Sequence, residues 1–377
     1  MEPVFAAMLV TMLQTGAGEA FEAPLAKLPQ FRVPKSLPTW RKQRKAIRRT
    51  LWELLGDLPP RPKAPAVETL SREPRQGYVL EKFQFDNGAG ATVPGYLLIP
   101  EGLQGKAPAI LYNHYHGGKY QQGKEELFLH WPTEEPPGEA LVRRGYVVMC
   151  IDAYCFGERQ WQGPAGKAEA GGQTESALFK YNVWVGRTLW GMMVCDDMMA
   201  LDYLCSRPEV DARRIGAMGM SMGSTRTWWL AALDDRISCA VCVACLTRYT
   251  NLIETGRLND HGIYYYVPNM LQHFDTEAVV SLIAPRPLLT LTGDQDTGSP
   301  VEGVHLINRT VQQVYVLYDK PERFQGLIYP GVGHDYTPQM WEETLGWLDR
   351  WLRRTPTQAR ATRRTRVRVA AGRVVPT

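Results

Sequence analysis

The chain has 377 residues, of which 44% are hydrophobic and 22% are charged, a composition that excludes disordered, collagenous and coiled-coil proteins. The formal net charge is only +4, and much of the basic excess lies near the C-terminus, so no nucleic-acid surface is predicted. No apolar run is long enough for a transmembrane helix, and the 7 cysteines lie mostly in apolar runs, which indicates buried thiols without a disulfide framework.

The first 65 residues are predicted to form a helical extension. Residues 3–13 are apolar and residues 17–20 offer a cleavage site, but the N-terminus carries Glu2 and no basic residue, which favours the cytoplasm over secretion. Secretion or a periplasmic location stays open if residues 1–20 act as a signal peptide. Residues 38–60 predict a helix whose basic face we expect to be solvated. Its apolar stripe consists of Trp40, Ile47, Leu51, Leu54 and Leu55.

Residues 66–354 have the pattern of a catalytic α/β domain. Two β-type runs, 78–85 and 91–99, flank an Asp-Asn-Gly turn and predict an antiparallel start. Beyond Pro108, short apolar strands alternate with helical patterns, which predicts a mostly parallel sheet flanked by helices. The predicted strands are 109–113, 146–151, 214–218, 237–244, 288–292 and 326–329. The predicted helices are 138–144, 190–205, 222–232, 275–283, 301–317 and 338–354. Residues 355–377 are predicted to be a basic, poorly ordered tail.

The sharpest motif is Gly219-Met220-Ser221-Met222-Gly223, directly after a predicted strand and before a predicted helix. A G-x-S-x-G pentapeptide requires this context to act as a nucleophile elbow. The flanking glycines allow the strand and the helix to approach a strained turn. Ser221 is therefore a candidate nucleophile, and the backbone N–H of Met222 is a candidate oxyanion donor.

A serine nucleophile needs a base, and the base needs a carboxylate to orient it. Asp296 follows the strand 288–292, and His334 follows the strand 326–329. The order Ser, Asp, His at strand ends is the order expected of an α/β-hydrolase. Asp294 competes with Asp296, but Asp296 lies further past its strand. Among the histidines after the acid, His305 falls inside a helical pattern, which leaves His334.

The loop after strand 109–113 reads His114-Tyr115-His116-Gly117-Gly118 and is the expected source of a second oxyanion donor. The pattern leaves open whether that donor is the N–H of His116 or of Tyr115. His114 and His116 are possible metal ligands, but no acidic or cysteine cluster accompanies them, so no metal is predicted. Cys239, Cys242 and Cys245 are assigned to the core because a strand points them to both faces.

With these residues in place, the chain resembles the dienelactone-hydrolase and acetyl-xylan-esterase-like branch of the α/β-hydrolases. Several longer strings carry the resemblance: WRKQRKAIRRTLWELLG, Asp152 with Gly157-Glu158-Arg159, GRTLWGMMVCDDMMALDYLCSRPEVDARRIGAMGMSMG, YYYVPNML and LIAPRPLLTLTGDQD. It implies an α/β-hydrolase fold and an esterase without cofactor, with Ser221 as nucleophile, Asp296 as acid and His334 as base. Two strings depart from the family: His114-Tyr115 replaces His-Gly, and Gly223-Ser224 replaces Gly-Gly.

Residues 246–284 are too long for a simple connection and are interpreted as a cap insertion. Aromatic residues are candidates for the pocket wall, with a core position as the alternative for each. They are Trp161, Tyr181, Trp184, Trp190 and Tyr265.

The predicted function is a serine carboxylic-ester hydrolase for short acyl esters, acting on a small-molecule ester, with an acylated carbohydrate as one candidate. A peptidase or amidase with the same three residues is one alternative, although such enzymes commonly carry an extra β-propeller domain for which this chain is too short. A non-catalytic binding protein of this fold is the other alternative. The sequence makes no prediction of oligomeric state.

Overall fold

The computed structural model describes residues 25–62 and 65–353. The possible leader within residues 1–20 and the predicted basic tail, 355–377, lie outside this part of the chain. None of the helices in the described part is long and apolar enough to span a bilayer.

The centre of the structure is a nine-stranded sheet with the strand order β1-β2-β3-β5-β4-β6-β7-β8-β9. In chain order the strands are β1 (Val67–Arg75), β2 (Tyr78–Asp86), β3 (Thr92–Pro100), β4 (Ala107–Asn113), β5 (Val147–Ile151), β6 (Val210–Met220), β7 (Ile237–Val243), β8 (Leu288–Gly293) and β9 (Phe324–Tyr329). The pairs β1–β2, β2–β3 and β3–β5 are antiparallel, and the five remaining pairs are parallel. The predicted antiparallel start and mostly parallel sheet are both confirmed.

Helices cover both faces of the sheet. They are α1 (Leu37–Leu55), α2 (Pro137–Arg143), α3 (Gly172–Trp184), α4 (Leu189–Ser206), α5 (Met222–Leu233), α6 (Tyr249–Glu254), α7 (Thr276–Ser281), α8 (Val301–Leu317) and α9 (Pro338–Leu348). Side chains of α1, α4, α5 and α8 share one hydrophobic core with one face of the sheet. Side chains of α2 and α9 form a second core with the other face. Successive residues of β5 alternate between these two cores, as expected of a strand buried on both faces.

The α1 helix packs on the first core through the predicted stripe. The side chain of Ser36 accepts a hydrogen bond from the backbone of Thr39 and caps the N-terminus, and the helix ends at Gly56, where φ is +90°. A residue with a side chain would be strained at that φ. Trp40, Leu51 and Leu55 are fully buried, whereas Leu54 is only half-buried.

The prediction that the basic face of α1 is merely solvated is wrong in part. Arg44 and Arg48 both bind Asp235, with nitrogen–oxygen distances of 2.8 and 2.7 Å. Arg44 also donates to the carbonyl oxygen of Leu282 at 3.1 Å. These contacts tie the N-terminal helix to the loop after α5 and to the end of α7.

Several elements differ from the sequence-based expectation. Helix α1 ends at Leu55, five residues before the end of the predicted helix 38–60. Strand β1 was not predicted because most of its residues are exposed, so its sequence lacks an apolar alternation. Helix α3 was not predicted because its apolar residues do not share one stripe. Strand β6 begins four residues earlier than the predicted start at Arg214, in a polar stretch that pairs with β4. Helix α9 ends at Leu348, and the chain continues to Arg353 as a wider π-helical turn.

Candidate active site

Ser221 occupies the sharp turn between β6 and α5. Its backbone has φ +57° and ψ −120°, a region that residues with a side chain rarely adopt. A Cβ atom at Gly219 or Gly223 would collide with the carbonyl oxygen of Asn113 on β4. Glycine at both positions therefore allows the turn to pack against β4 and holds Ser221 at the N-terminus of α5.

The structure brings Ser221, His334 and Asp296 into one hydrogen-bonded series. Nε2 of His334 lies 2.9 Å from Oγ of Ser221, and Nδ1 of His334 lies 2.8 Å from Oδ2 of Asp296. The three residues follow β6, β9 and β8 respectively, and the carboxyl ends of parallel strands share one edge of the sheet. Ser221 and His334, 113 positions apart in the chain, thus meet at that edge.

Among the described residues, Asp294 and His305, the alternatives for the acid and the base, are not hydrogen-bonded to Ser221 or His334. Oδ1 of Asp294 accepts a hydrogen bond from the backbone N–H of Gly331 at 2.7 Å, which links the loop after β8 to the loop after β9. His305 is exposed on α8. Asp294 therefore has a role in turn structure, and Asp296 is the acid that contacts His334.

The environment of His334 suits a base. Burial acts to lower the pKa of His334, but the hydrogen bond to Asp296 and the negative charges of Asp296 and Asp335 outweigh it and raise the pKa above its ordinary value. The Asp296 carboxylate is almost completely buried, whereas 41% of the His334 side chain is exposed. An imidazole in this position can take the proton of a serine hydroxyl while the carboxylate stabilises the imidazolium.

The structure distinguishes the two candidate oxyanion donors, the N–H groups of Tyr115 and His116, in residues 114–118, which we call the oxyanion loop. The backbone N–H of Tyr115 donates to Oε2 of Glu126 at 2.7 Å. Tyr115 is therefore the wrong donor, because its N–H is already committed inside the protein. His116 borders the cavity at Ser221 and stays the predicted donor. Met222 is the first residue of α5, where backbone N–H groups have no acceptor within the helix.

Two buried carboxylates that the sequence analysis missed hold the oxyanion loop. Glu126 accepts from Tyr115 and from the hydroxyl of Tyr112, and burial raises the pKa of Glu126 to about 8 despite these hydrogen bonds. Glu175 on α3 lies 3.0 Å from Nε2 of His116. No sequence motif pointed to either acid, because neither follows a recognisable strand end or glycine pair.

The ring nitrogens of His114 and His116 are engaged by protein groups. Nε2 of His114 accepts from the backbone N–H of Ala153 at 3.0 Å, and Nδ1 lies 2.9 Å from the carbonyl oxygen of Tyr115. Burial lowers the pKa of His114 well below its ordinary value, so this ring is neutral. Nδ1 of His116 accepts from the backbone N–H of Gly118 at 3.0 Å. The described residues contain no group of three or more His, Cys, Asp or Glu side chains arranged to hold a metal ion.

A cavity of about 520 Å³ opens at Ser221, within the size range of small-molecule sites. One side is formed by the oxyanion loop and the loops that carry Asp296 and His334. The other side is formed by part of the predicted cap. Its lining residues are His116, Gly117, Gly118, Ser221, Cys245, Asn259, Asp260, His261, Gly262, Tyr264, Asp296, Thr297, Gly298 and His334.

Three aromatic residues predicted for the pocket wall lie at the surface instead. Trp184 is 88% exposed, and Trp161 and Tyr181 are 43% and 44% exposed. The buried stripe of α3 includes Leu178 and Asn182. Trp184 lies two residues beyond Asn182, about 200° around the helix, and so points away from the protein.

The other two predicted aromatics are buried but do not border the cavity at Ser221. Trp190 packs against Trp229 and Tyr264 in the core. Tyr265 lines a separate cavity of about 360 Å³ within the cap. The aromatic that does border the site is Tyr264, whose ring stacks on His116 with centroids 5.0 Å apart.

Cys245 is also closer to the site than the sequence predicted. Strand β7 ends at Val243, and Ala244 and Cys245 both have positive φ, so Cys245 is not part of the strand. Its Sγ lies 3.7 Å from Oγ of Ser221, and burial raises the pKa of Cys245 to about 12. The thiol is therefore protonated and narrows the cavity beside the serine. Cys239 and Cys242 are core residues, as predicted.

Comparison with known proteins shows the family to which such a site belongs. A model of the Abhydrolase family matches residues 21–338. "Putative hydrolase YtaP" of Bacillus subtilis (strain 168) is 38% identical over 307 residues, which cover 81% of this chain and 98% of that protein.

Two solved structures share the fold. A "putative acetyl xylan esterase" from Bacteroides fragilis NCTC 9343 has a TM-score of 0.66 at 21% identity, over 81% of this chain and 80% of that one. A glucuronoyl esterase from Solibacter usitatus has a TM-score of 0.62 at 19% identity, over 86% of this chain and 98% of that one. Both likenesses show the α/β-hydrolase fold.

Proposed function

This chain belongs to the Abhydrolase family and is an α/β-hydrolase, and on that premise we propose that it is a serine carboxylic-ester hydrolase acting on short acyl esters. The observation that carries the proposal is the hydrogen-bonded series from Ser221 through His334 to Asp296. In this proposal Ser221 is the nucleophile, His334 the base and Asp296 the acid that orients it.

The reaction proceeds in two halves. Oγ of Ser221 attacks the ester carbonyl carbon while Nε2 of His334 takes the hydroxyl proton, and the N–H groups of Met222 and His116 stabilise the oxyanion. The alcohol leaves with the proton returned by His334, which produces an acyl-enzyme. Water, deprotonated by His334, then releases the carboxylic acid and restores the serine.

A sugar-like alcohol is the proposed leaving group. The similar structure from Bacteroides fragilis is named a "putative acetyl xylan esterase", a name that describes a carbohydrate acylated on its hydroxyl groups, and this supports an acylated carbohydrate for this chain. The cavity supports it as well, because Asn259 and Asp260 supply polar atoms on the side of the cap. Tyr264 supplies an aromatic surface beside them, which suits a molecule with both ring faces and hydroxyl groups.

We expect kcat/KM to rise with pH through a single ionisation above the ordinary histidine pKa of about 6.5. The base must be neutral to accept the serine proton, and the carboxylates of Asp296 and Asp335 raise the pKa of His334, so activity is lost as pH falls through that raised value. The measurement is a pH profile of kcat/KM for p-nitrophenyl acetate. Asp335→Asn is a matched variant that should move the midpoint downwards while kcat is retained. A midpoint below about 6 would contradict His334 as the base.

We expect acetyl to butyryl esters to be the best substrates. The cavity of about 520 Å³ must hold the alcohol as well as the acyl group, and Cys245 lies beside the nucleophile. Each methylene that finds no room forfeits about 0.8 kcal/mol of burial, so rates should fall several-fold per step beyond the preferred length. The measurement is kcat/KM for p-nitrophenyl acetate, butyrate, octanoate and palmitate, and for an acetylated sugar.

The same assay separates the alternatives. If octanoate or palmitate is the best substrate, residues 246–284 act as a mobile lid over a larger pocket. Hydrolysis of p-nitroacetanilide at a rate comparable to p-nitrophenyl acetate would favour the amidase. Absence of hydrolysis of every ester, with saturable binding of one of them, would favour a binding protein.

A further inference from the structure

The cap contacts the loop that carries the acid at one backbone group, the carbonyl of Gly298. Nε2 of His261 lies 2.7 Å from this carbonyl oxygen, and the hydroxyl of Thr247 donates to it at 2.7 Å. A carbonyl oxygen only accepts hydrogen bonds, so Nε2 of His261 must carry a proton. Thr247 and His261, 14 positions apart in the cap, therefore both donate to one carbonyl oxygen.

Gly298 connects this contact to Asp296. The backbone N–H of Gly298 donates to Oδ1 of Asp296 at 3.0 Å, and Oδ2 of the same carboxylate faces His334. The N–H and the carbonyl of Gly298 lie in consecutive peptide planes of a tight turn, which the hydrogen bond from the N–H of Ser299 to the carbonyl of Asp296 closes. Fixing the carbonyl therefore restricts the N–H through the conformation of that turn. A carboxylate held at one oxygen keeps the other oxygen directed at its partner.

The His261 ring is itself held in place. It packs against the ring of Tyr265 with centroids 4.7 Å apart, and it borders the cavity that contains Ser221. Burial lowers the pKa of His261 and outweighs the hydrogen bond to Gly298, which acts to raise it. The ring is therefore a neutral donor under conditions in which His334 is the base.

We propose that His261 is a positioning residue that couples the cap to the catalytic machinery, because it holds Gly298 so that Asp296 presents Oδ2 to His334. The expected effect on kcat rests on the proposed function. The expected orientation of Asp296 towards His334 does not. Its role is distinct from substrate binding, since the atom that acts is Nε2 and its partner is the protein backbone.

The test compares His261→Phe, which keeps a ring but removes the donor, with His261→Gln, whose side-chain amide can donate to the same carbonyl. We expect His261→Phe to lower kcat about 10- to 100-fold, as small displacements of catalytic groups do, with KM changed less than about threefold. The pKa in the profile of kcat/KM should fall, because a misdirected Asp296 raises the pKa of His334 less. His261→Gln should retain most of the wild-type kcat and most of the wild-type pKa. The control is His305→Phe at an exposed histidine of α8, which should resemble the wild type.

A second measurement does not depend on hydrolysis. The proton on Nδ1 of His334 should give a low-field NMR resonance, because its hydrogen bond to Asp296 deshields it and slows its exchange. This resonance should be present in the wild type and in His261→Gln, and weakened or lost in His261→Phe. If the wild type hydrolyses no ester, the proposed function fails and the resonance alone decides the inference.

Three results would overturn the inference. The first is an unchanged kcat and resonance in His261→Phe, and the second is a change confined to KM. The third is a loss in His261→Gln equal to that in His261→Phe, which would show that shape and not the donor matters. Should His261→Phe fail to fold by circular dichroism, Thr247→Val removes the other donor to Gly298 and is expected to shift the same resonance and kcat in the same direction. An unchanged Thr247→Val would then overturn it.

Discussion

Replacing Ser221 by alanine is expected to lower the rate of ester hydrolysis by about 10⁴- to 10⁶-fold. The nucleophile, the base and the acid act as a unit, so removing one of them costs nearly as much rate as removing all three. The fold should be retained. The substitution keeps Cβ, and within residues 25–62 and 65–353 the partners of Oγ are only His334 and the weak donor Cys245.

The measurement pairs steady-state rates with covalent labelling. Mass spectrometry of protein treated with a fluorophosphonate should place the adduct on the peptide that contains Ser221, and Ser221→Ala should not be labelled. Ser206→Ala is the matched control, since this exposed serine at the end of α4 donates to the carbonyl of Tyr203 on the same helix. An adduct on another serine, or substantial activity in Ser221→Ala, would exclude Ser221 as nucleophile.

A glycine at the same position separates chemistry from stability. Ser221 has φ +57° and ψ −120°, which is costly for serine but not for glycine. Ser221→Gly should therefore be as inactive as Ser221→Ala. Its free energy of unfolding should nevertheless be about 1 kcal/mol higher than that of Ser221→Ala. Chemical denaturation of the two variants would measure the difference, and equal stabilities would show that the turn is not strained.

Replacing Asp296 by asparagine is expected to lower kcat by about 10⁴-fold. Oδ2 of Asp296 faces Nδ1 of His334 at 2.8 Å, and an amide in its place favours the wrong tautomer of the imidazole. The asparagine also lacks the negative charge that stabilises the imidazolium. The pKa of His334 should fall in the variant, which NMR titration of the ring would measure directly.

Asp294→Asn is the matched control for that substitution. Oδ1 of Asp294 accepts a hydrogen bond from Gly331, and the side-chain oxygen of asparagine can accept the same bond. We therefore expect Asp294→Asn to retain most of the activity. If Asp294→Asn were the inactive variant and Asp296→Asn the active one, the assignment of the acid would be wrong.

The sequence alone determined the architecture and the position of the candidate catalytic residues along it. Short apolar runs predicted β4 to β9, and the glycines around Ser221 predicted a turn that the Cβ of any other residue would prevent. Asp296 and His334 were found because each follows a strand, and the ends of parallel strands converge on one edge. These features depend on local periodicity and on backbone sterics, both of which can be read from neighbouring residues.

The tertiary structure alone decided what surrounds these residues. Glu175 meets His116 from 59 positions away, and His261 meets Gly298 from 37 positions away, and no local pattern records either contact. The prediction of the pocket aromatics was wrong for the same reason. Trp184 and Tyr264 are both large aromatic residues, but the orientation of α3 exposes Trp184, whereas packing within the cap buries Tyr264. Periodicity predicts that a segment is a helix or a strand, whereas the partner of each side chain depends on how distant segments pack. That packing determined that the N–H of Tyr115 is bound by Glu126 and that His261 on the cap contacts Gly298.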